Sequence, residues 1–364
     1  MAERVLVLVG SRKGAFVLES APTRAEWSVR GPYLAGQNVM HLAFDPRTRT
    51  MFAAVGDPWF GSRVYRSADL GHTWDEPQTG PAFPTETGLT LEKIWNVTPG
   101  RPEEPGVVYA GVEPAALFKS SDGGGTWDFV RSLNDHPTRP TWEPGAGGLC
   151  LHTIVLDPGD LQRMYVAISS AGVFRTTDGG ATWETANRGT RNNFLPDQEP
   201  VYPDYGQCVH KVVMNPAEPA RLYQQNHCGV YRSDDGAASW VEITEGLPTD
   251  FGFGIAVHPQ NPDTVWVCPS INGYEHWVPG AEMAVYRSRD RGASWTKLTN
   301  GLPQGAFVNV LRDAMAVDTL PTPGVYVGTN TGQLFHSADE GDSWHLAPAL
   351  FPVINSVETA VLPA

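Results

Sequence analysis

Cysteine is scarce in this chain: Cys150, Cys208, Cys228 and Cys268 are the only four, and no two stand in a CxxC pair. That spacing excludes a ribbon-type structural zinc site and a dense disulfide framework, and it fits reduced thiols. Basic residues are also few, 26 against 40 acidic ones, for a formal charge of -14. So acidic a surface has no general attraction for nucleic acid or anionic membrane, and neither is expected as a partner. No stretch reaches the roughly 18 apolar residues needed to cross a bilayer. The opening MAERVLVLVGSRKG is interrupted by Gly10, Arg12 and Lys13 before it forms the apolar core of a secretory signal. The expectation is a soluble, cytoplasmic protein.

Glycine (38), proline (31) and tryptophan (12) are plentiful, and their placement is periodic. An apolar or aromatic strand runs into a Ser/Thr-x-Asp-x-Gly-x-Ser/Thr-Trp turn in VYRSADLGHTW, LFKSSDGGGTW, VFRTTDGGATW, VYRSDDGAASW, VYRSRDRGASW and LFHSADEGDSW. The closing tryptophans are Trp74, Trp127, Trp183, Trp240, Trp295 and Trp344, spaced by 53, 56, 57, 55 and 49 residues, and a degraded copy ends at Trp27. Each period also holds two earlier strands, as in HTIVLDPGDLQRMYVAIS. Four short β-branched and aromatic strands per period, separated by Gly, Pro and Asp turns, describe one propeller blade. A radially repeated fold also accommodates 364 residues in one domain, residues 1–364, because each unit packs mainly on its neighbours.

The first repeat lacks an inner strand, and the C-terminal NSVETAVLPA has the pattern to supply it. The sequence therefore predicts an all-β, seven-bladed propeller of four-stranded antiparallel blades, closed three-plus-one by the last strand. Residues 355–363 should pair beside residues 4–9. Closure also removes two sheet edges that would otherwise invite aggregation. In each turn the aspartate should accept bonds from its own loop amides, and the glycine should supply positive φ, with Ala237 in its place in one repeat.

These repeats resemble the Asp-box, or bacterial neuraminidase repeat, family of sialidase-like and glycosyl hydrolase-like β-propellers. The resemblance covers the whole chain, and it implies that the turn aspartates are structural and remote from catalysis. That group includes sialidases, xyloglucan-cleaving glycosidases, sortilin-type receptors and a photosystem assembly factor. The arginine-containing N-terminal motif that binds sialate in its sialidases is absent here. Its xyloglucan-active members form their cleft between two propellers, and this chain carries one.

Long segments at roughly 77–91, 131–150, 187–207 and 269–282 fall on the face opposite the Asp turns, where loops on a rigid scaffold serve binding. Alignment of the inner strands on their closing prolines places a polar ring at the channel mouth: His41, Glu92 with Lys93, His152, His210 with Lys211, Phe253, Arg312 with Asp313, and Glu358. A water-filled channel would account for such a ring, and so would a site. Glu92, Asp313 and Glu358 could form the carboxylate pair of a glycosidase, with Arg312 adjusting their charge, and Glu113 and Asp57 stand nearby. Lys93, Lys211, Tyr274 and Trp59 are candidate ligand contacts for a carbohydrate or other small molecule. His41, His152, His210 and His227 are candidate ligands for a divalent transition metal. His152 and His210 both stand six residues before a closing proline, Pro158 and Pro216, and are expected side by side at the centre of the site. Three readings follow: a glycosidase-like hydrolase at the channel mouth, a metal-dependent enzyme, or a non-catalytic propeller that binds a ligand or protein.

Overall fold

The computed structural model describes residues 3–57, 61–77, 79–193 and 199–363. Among them are seven antiparallel sheets arranged as the blades of a propeller. The inner strands are Ile354–Pro363 in blade 1, then Val39–Asp45, Lys93–Pro99, Leu151–Leu156, Val209–Met214, Gly252–Val257 and Met315–Val317 in blades 2 to 7. Six sheets have four strands. In blade 2 the outer strand shrinks to a single bridge between Arg66 and Asp75.

Closure is as the repeat pattern requires. Strand Glu3–Ser11 lies between Gly14–Ser20 and the C-terminal strand, with Val5 opposite Val361 and Val9 opposite Val357. Val5, Val7 and Val9 are fully buried on one face of that strand and Leu6 and Leu8 on the other, so this hairpin has blades on both sides.

The Asp turns form a self-contained hydrogen-bonded unit. In blade 3 the Thr126 amide and hydroxyl each donate to Asp122 at 2.8 Å. The Ser120 hydroxyl donates to Asp122 at 2.8 Å and accepts from the Gly124 amide at 2.8 Å. The Thr126 amide, aided by the two hydroxyls, holds the Asp122 carboxyl at about 2. Two consecutive residues take left-handed φ in each turn, such as Gly123 (74°) and Gly124 (88°), and Ala237 adopts 61° where glycine would be easier. These carboxylates are spent on their own loops.

The closing tryptophans tie neighbouring blades together. Trp240 ends the blade 5 turn, is 4 % exposed, and donates from Nε1 to the Ala186 carbonyl of blade 4 at 2.8 Å. Trp295 repeats the contact on Ile243 of blade 5 at 2.9 Å. Trp240 and Trp295 thus each bridge a seam between neighbouring blades.

Trp240→Ala should lower unfolding free energy by about 3–5 kcal/mol, the usual cost of deleting a large buried aromatic. Trp240→Phe keeps most of the apolar volume but strands the Ala186 carbonyl, and should lose on the order of 1–3 kcal/mol. Denaturant titration of both variants checks this order, and equal losses would contradict it.

Candidate functional site

Antiparallel connectivity puts the turns between second and third strands, and those between blades, on one face, and the Asp turns on the other. The axial channel between these faces is divided into two chambers. The upper one, on the long-loop face, has a volume of about 450 Å³ and is lined by Arg12, Met40, Trp95, Phe253, Arg312 and Asp313 among others. Gly147 and His276 bring the loops 131–150 and 269–282 to its rim. The lower chamber, about 500 Å³, is lined by His41, Asn96, Thr153, Lys211 and Glu358 and by the ends of the inner strands.

A recurrent backbone irregularity determines which side chains line which chamber. The inner strands carry a bulge at the same place in successive blades, leaving Met40, Trp95, His152, His210 and Phe253 as the extra residue. A bulge re-aims its side chain, and the next residue returns to the regular pleat. His41 therefore corresponds to Lys211, not to His152 and His210. Its proline spacing says the same, because Met40, not His41, stands six residues before Pro46.

The chambers meet at a waist built from blades 1, 2, 5 and 7. Lys211 of blade 5 reaches past blade 6 to form a short ion pair with Asp313 of blade 7. Burial opposes ionisation of Asp313, but Lys211 and His41 outweigh it and hold the carboxyl below its ordinary value. Glu358 lies on the lower side, half-buried, and desolvation pushes its carboxyl up to about 7, although Lys211 favours its ionised form. Burial lowers His41 to about 4, so its imidazole is neutral at pH 7. Two carboxyl groups near one lysine are thus driven apart, one ionised and one partly protonated at neutral pH.

Above the waist, the Trp95 ring lies 5.3 Å from the Arg312 guanidinium and 5.7 Å from the Lys93 ammonium. Trp95 Nε1 donates to Glu113 at 2.8 Å, and Lys93 donates to the same carboxylate oxygen at 3.1 Å. A side chain at Gly148, where φ is 90°, would run into Glu113, so glycine is required where the 131–150 loop crosses this carboxylate. Arg312 Nε is buried and has no hydrogen-bond partner among the described residues.

The histidines are dispersed. His152 is fully buried, and both ring nitrogens are engaged, with Thr153 Oγ1 at 2.9 Å and the Val209 carbonyl of blade 5 at 3.0 Å. His210 Nδ1 contacts the Gly252 carbonyl of blade 6 at 2.5 Å, so each ring turns towards the following blade rather than towards the other. The expected side-by-side pair is therefore replaced by two equivalent latches between blades. Burial, reinforced by Arg312, holds both rings well below the ordinary histidine value. His227 lies near His210, with ring centroids 5.6 Å apart, and Cys208 Sγ stands 3.6 Å from His210 Nε2. One atom each from Cys208, His210 and His227 falls within 4.8 Å of the others, the one such set of possible metal ligands found among the described residues.

Of the other expected contacts, Glu92 is exposed and lines neither chamber, and the buried carboxylate of that blade is Glu113. Tyr274 is 94 % exposed on the 269–282 loop, outside both linings. Trp59 lies outside the described residues.

No family model matches the chain. Among curated proteins, a xyloglucanase from Paenibacillus sp. is 28% identical over 273 residues, which cover 67% of this chain and 24% of that protein. The curated relatives it matches are 25–28% identical and are named as xyloglucanases, and the chain spans about a quarter to a third of their length. Among solved structures, an ancestral GH74 enzyme superposes with a TM-score of 0.60 at 19% identity, over 85% of this chain and 38% of that one. YCF48 from Cyanidioschyzon merolae superposes with a TM-score of 0.57 at 14% identity, over 86% of each chain. The chain is a seven-bladed β-propeller with xyloglucanases among its sequence relatives.

Because the folded pKa of Glu358 is raised above its ordinary 4.5, its contribution to stability is complete below that value and is lost as pH rises through about 7. Glu358→Gln keeps the shape and cannot ionise. Its melting temperature should therefore gain on the wild type between pH 5 and pH 8, and a constant difference would mean that Glu358 titrates normally.

Proposed function

We propose that this propeller is a glycoside-hydrolase-like enzyme that takes the end of an oligosaccharide into the upper chamber and cleaves it at the waist. The observation that carries this reading is the pair of carboxyl groups shifted in opposite directions around Lys211, the arrangement that general acid and anionic partner roles require. Glu358, still substantially protonated at neutral pH, is the proton donor to the leaving oxygen. Asp313, kept ionised by Lys211, is the carboxylate that meets developing positive charge or activates water. Trp95 offers an aromatic wall for a sugar ring, and Arg12, Lys93 and Arg312 supply donors to hydroxyl oxygens. The xyloglucanase relatives support a β-glucan-type oligosaccharide as the substrate class. The small chamber favours a short or terminal segment over the middle of a polymer.

Hydrolysis of xyloglucan oligosaccharides, followed as reducing-end release, tests this reading. Asp313→Asn and Glu358→Gln should each lower kcat by roughly 10²–10⁴, the usual worth of a positioned acid or base. Wild-type activity should fall as pH rises through about 7, where Glu358 loses its proton. Trp95→Ala should weaken binding and leave the pH profile in place. Absence of cleavage across a panel of β-glucan oligosaccharides, or unchanged rates in both carboxylate variants, would remove the proposal.

A further inference from the structure

Beside the channel, and independent of any hydrolysis at the waist, the blade 5 cluster has the donor set of a transition-metal centre. Cys208 stands two residues before His210, immediately ahead of the inner strand Val209–Met214, and the His227 amide donates to the Cys208 carbonyl at 2.9 Å. The ladder and the bulge at His210 thus fix all three residues on one edge of the blade.

We propose that Cys208, His210 and His227 bind one zinc ion, with a fourth position open to water. Metal–sulfur and metal–nitrogen bonds of about 2.3 and 2.05 Å at a tetrahedral angle place the two ligand atoms about 3.6 Å apart. The observed Cys208 Sγ to His210 Nε2 distance is 3.6 Å. The other nitrogen of His210 faces the Gly252 carbonyl, which can only accept, so Nδ1 carries the proton and Nε2 presents its lone pair towards the sulfur. This is the outer-shell arrangement that orients a metal-bound imidazole. His227 must close from within 4.8 Å by side-chain rotation, against the aromatic edges of Phe251 and His210. Phe251, Phe253 and His276 stack around the site and limit competing water. Binding replaces the thiol proton by the metal, giving a thiolate–metal bond and one released proton.

The full chain, purified without an affinity tag and stripped with chelator, is titrated with Zn2+ alone and then with Co2+ as a spectroscopic substitute. The expected result is one ion per chain and a thiolate-to-cobalt charge-transfer band. Cys208→Ser should lose that band and weaken Zn2+ binding by at least about 10-fold, and His227→Ala should weaken it similarly. His72→Ala, at an exposed turn, should change neither. Melting curves of the metal-free proteins establish that each variant folds. If Cys208→Ser does not fold, His227→Ala supplies the comparison. Wild-type binding no tighter than in these variants, or a cobalt–thiolate band that survives Cys208→Ser, overturns the proposal. Loss of binding without loss of hydrolysis would leave the reading of the waist standing, and the reverse would leave this one.

Discussion

Pairing of the C-terminal strand with Glu3–Ser11 is the constraint on which the remainder of the propeller depends. Until that ladder forms, blade 1 lacks its inner strand and two sheet edges stay open. Each inner strand packs against the next around the ring, and Ile354–Pro363 is the member that touches both blade 2 and blade 7. The Val357 amide donates to the Asp313 carbonyl at 2.8 Å, so closing the ring also fixes the backbone that carries Asp313. Fold closure and the placement of Asp313 thus share one hydrogen bond.

The waist illustrates how a propeller generates unusual electrostatics without a dedicated loop. Seven strands converge on the axis, and a polar residue at the same depth in several of them brings charges together that are far apart in sequence. Lys211 and Asp313 satisfy each other across the channel, and Glu358 is left without an ion-pair partner of its own among the described residues. Desolvation then outweighs the favourable lysine for that carboxyl, whereas for Asp313 the direct ion pair wins. Removal of either partner would leave a buried charge uncompensated, at a cost larger than the net worth of the pair.

The blade count, the closing strand and the structural role of the turn aspartates were legible from residues alone, because each depends on local spacing. Positions at the channel were less so. His41 joins His152 and His210 in the polar ring of the sequence, yet the bulge position they occupy belongs to Met40 in blade 2, so His41 lies one residue further on, on the face of Lys211, and a one-residue slip changes what every side chain meets. Glu92 and Glu113 could not be ranked, since burial depends on where the 131–150 loop crosses the blade. The spacing of the cysteines, with no CxxC pair, does not by itself point to Cys208 as a ligand. The Cys208-Val209-His210 alternation, with His227 on the facing turn, was the available signal. Attraction between blades 5 and 7 leaves no trace in sequence spacing.

The upper chamber, with Trp95 and Arg312 above and Asp313 beneath, is where this account places substrate. A crystal structure of Glu358→Gln soaked with a xyloglucan oligosaccharide tests that most directly. The account predicts a sugar ring against Trp95, with its anomeric carbon beside Asp313 and its glycosidic oxygen directed at residue 358. A saccharide bound only on the outer faces of the long loops, with the chamber holding solvent alone, would contradict it.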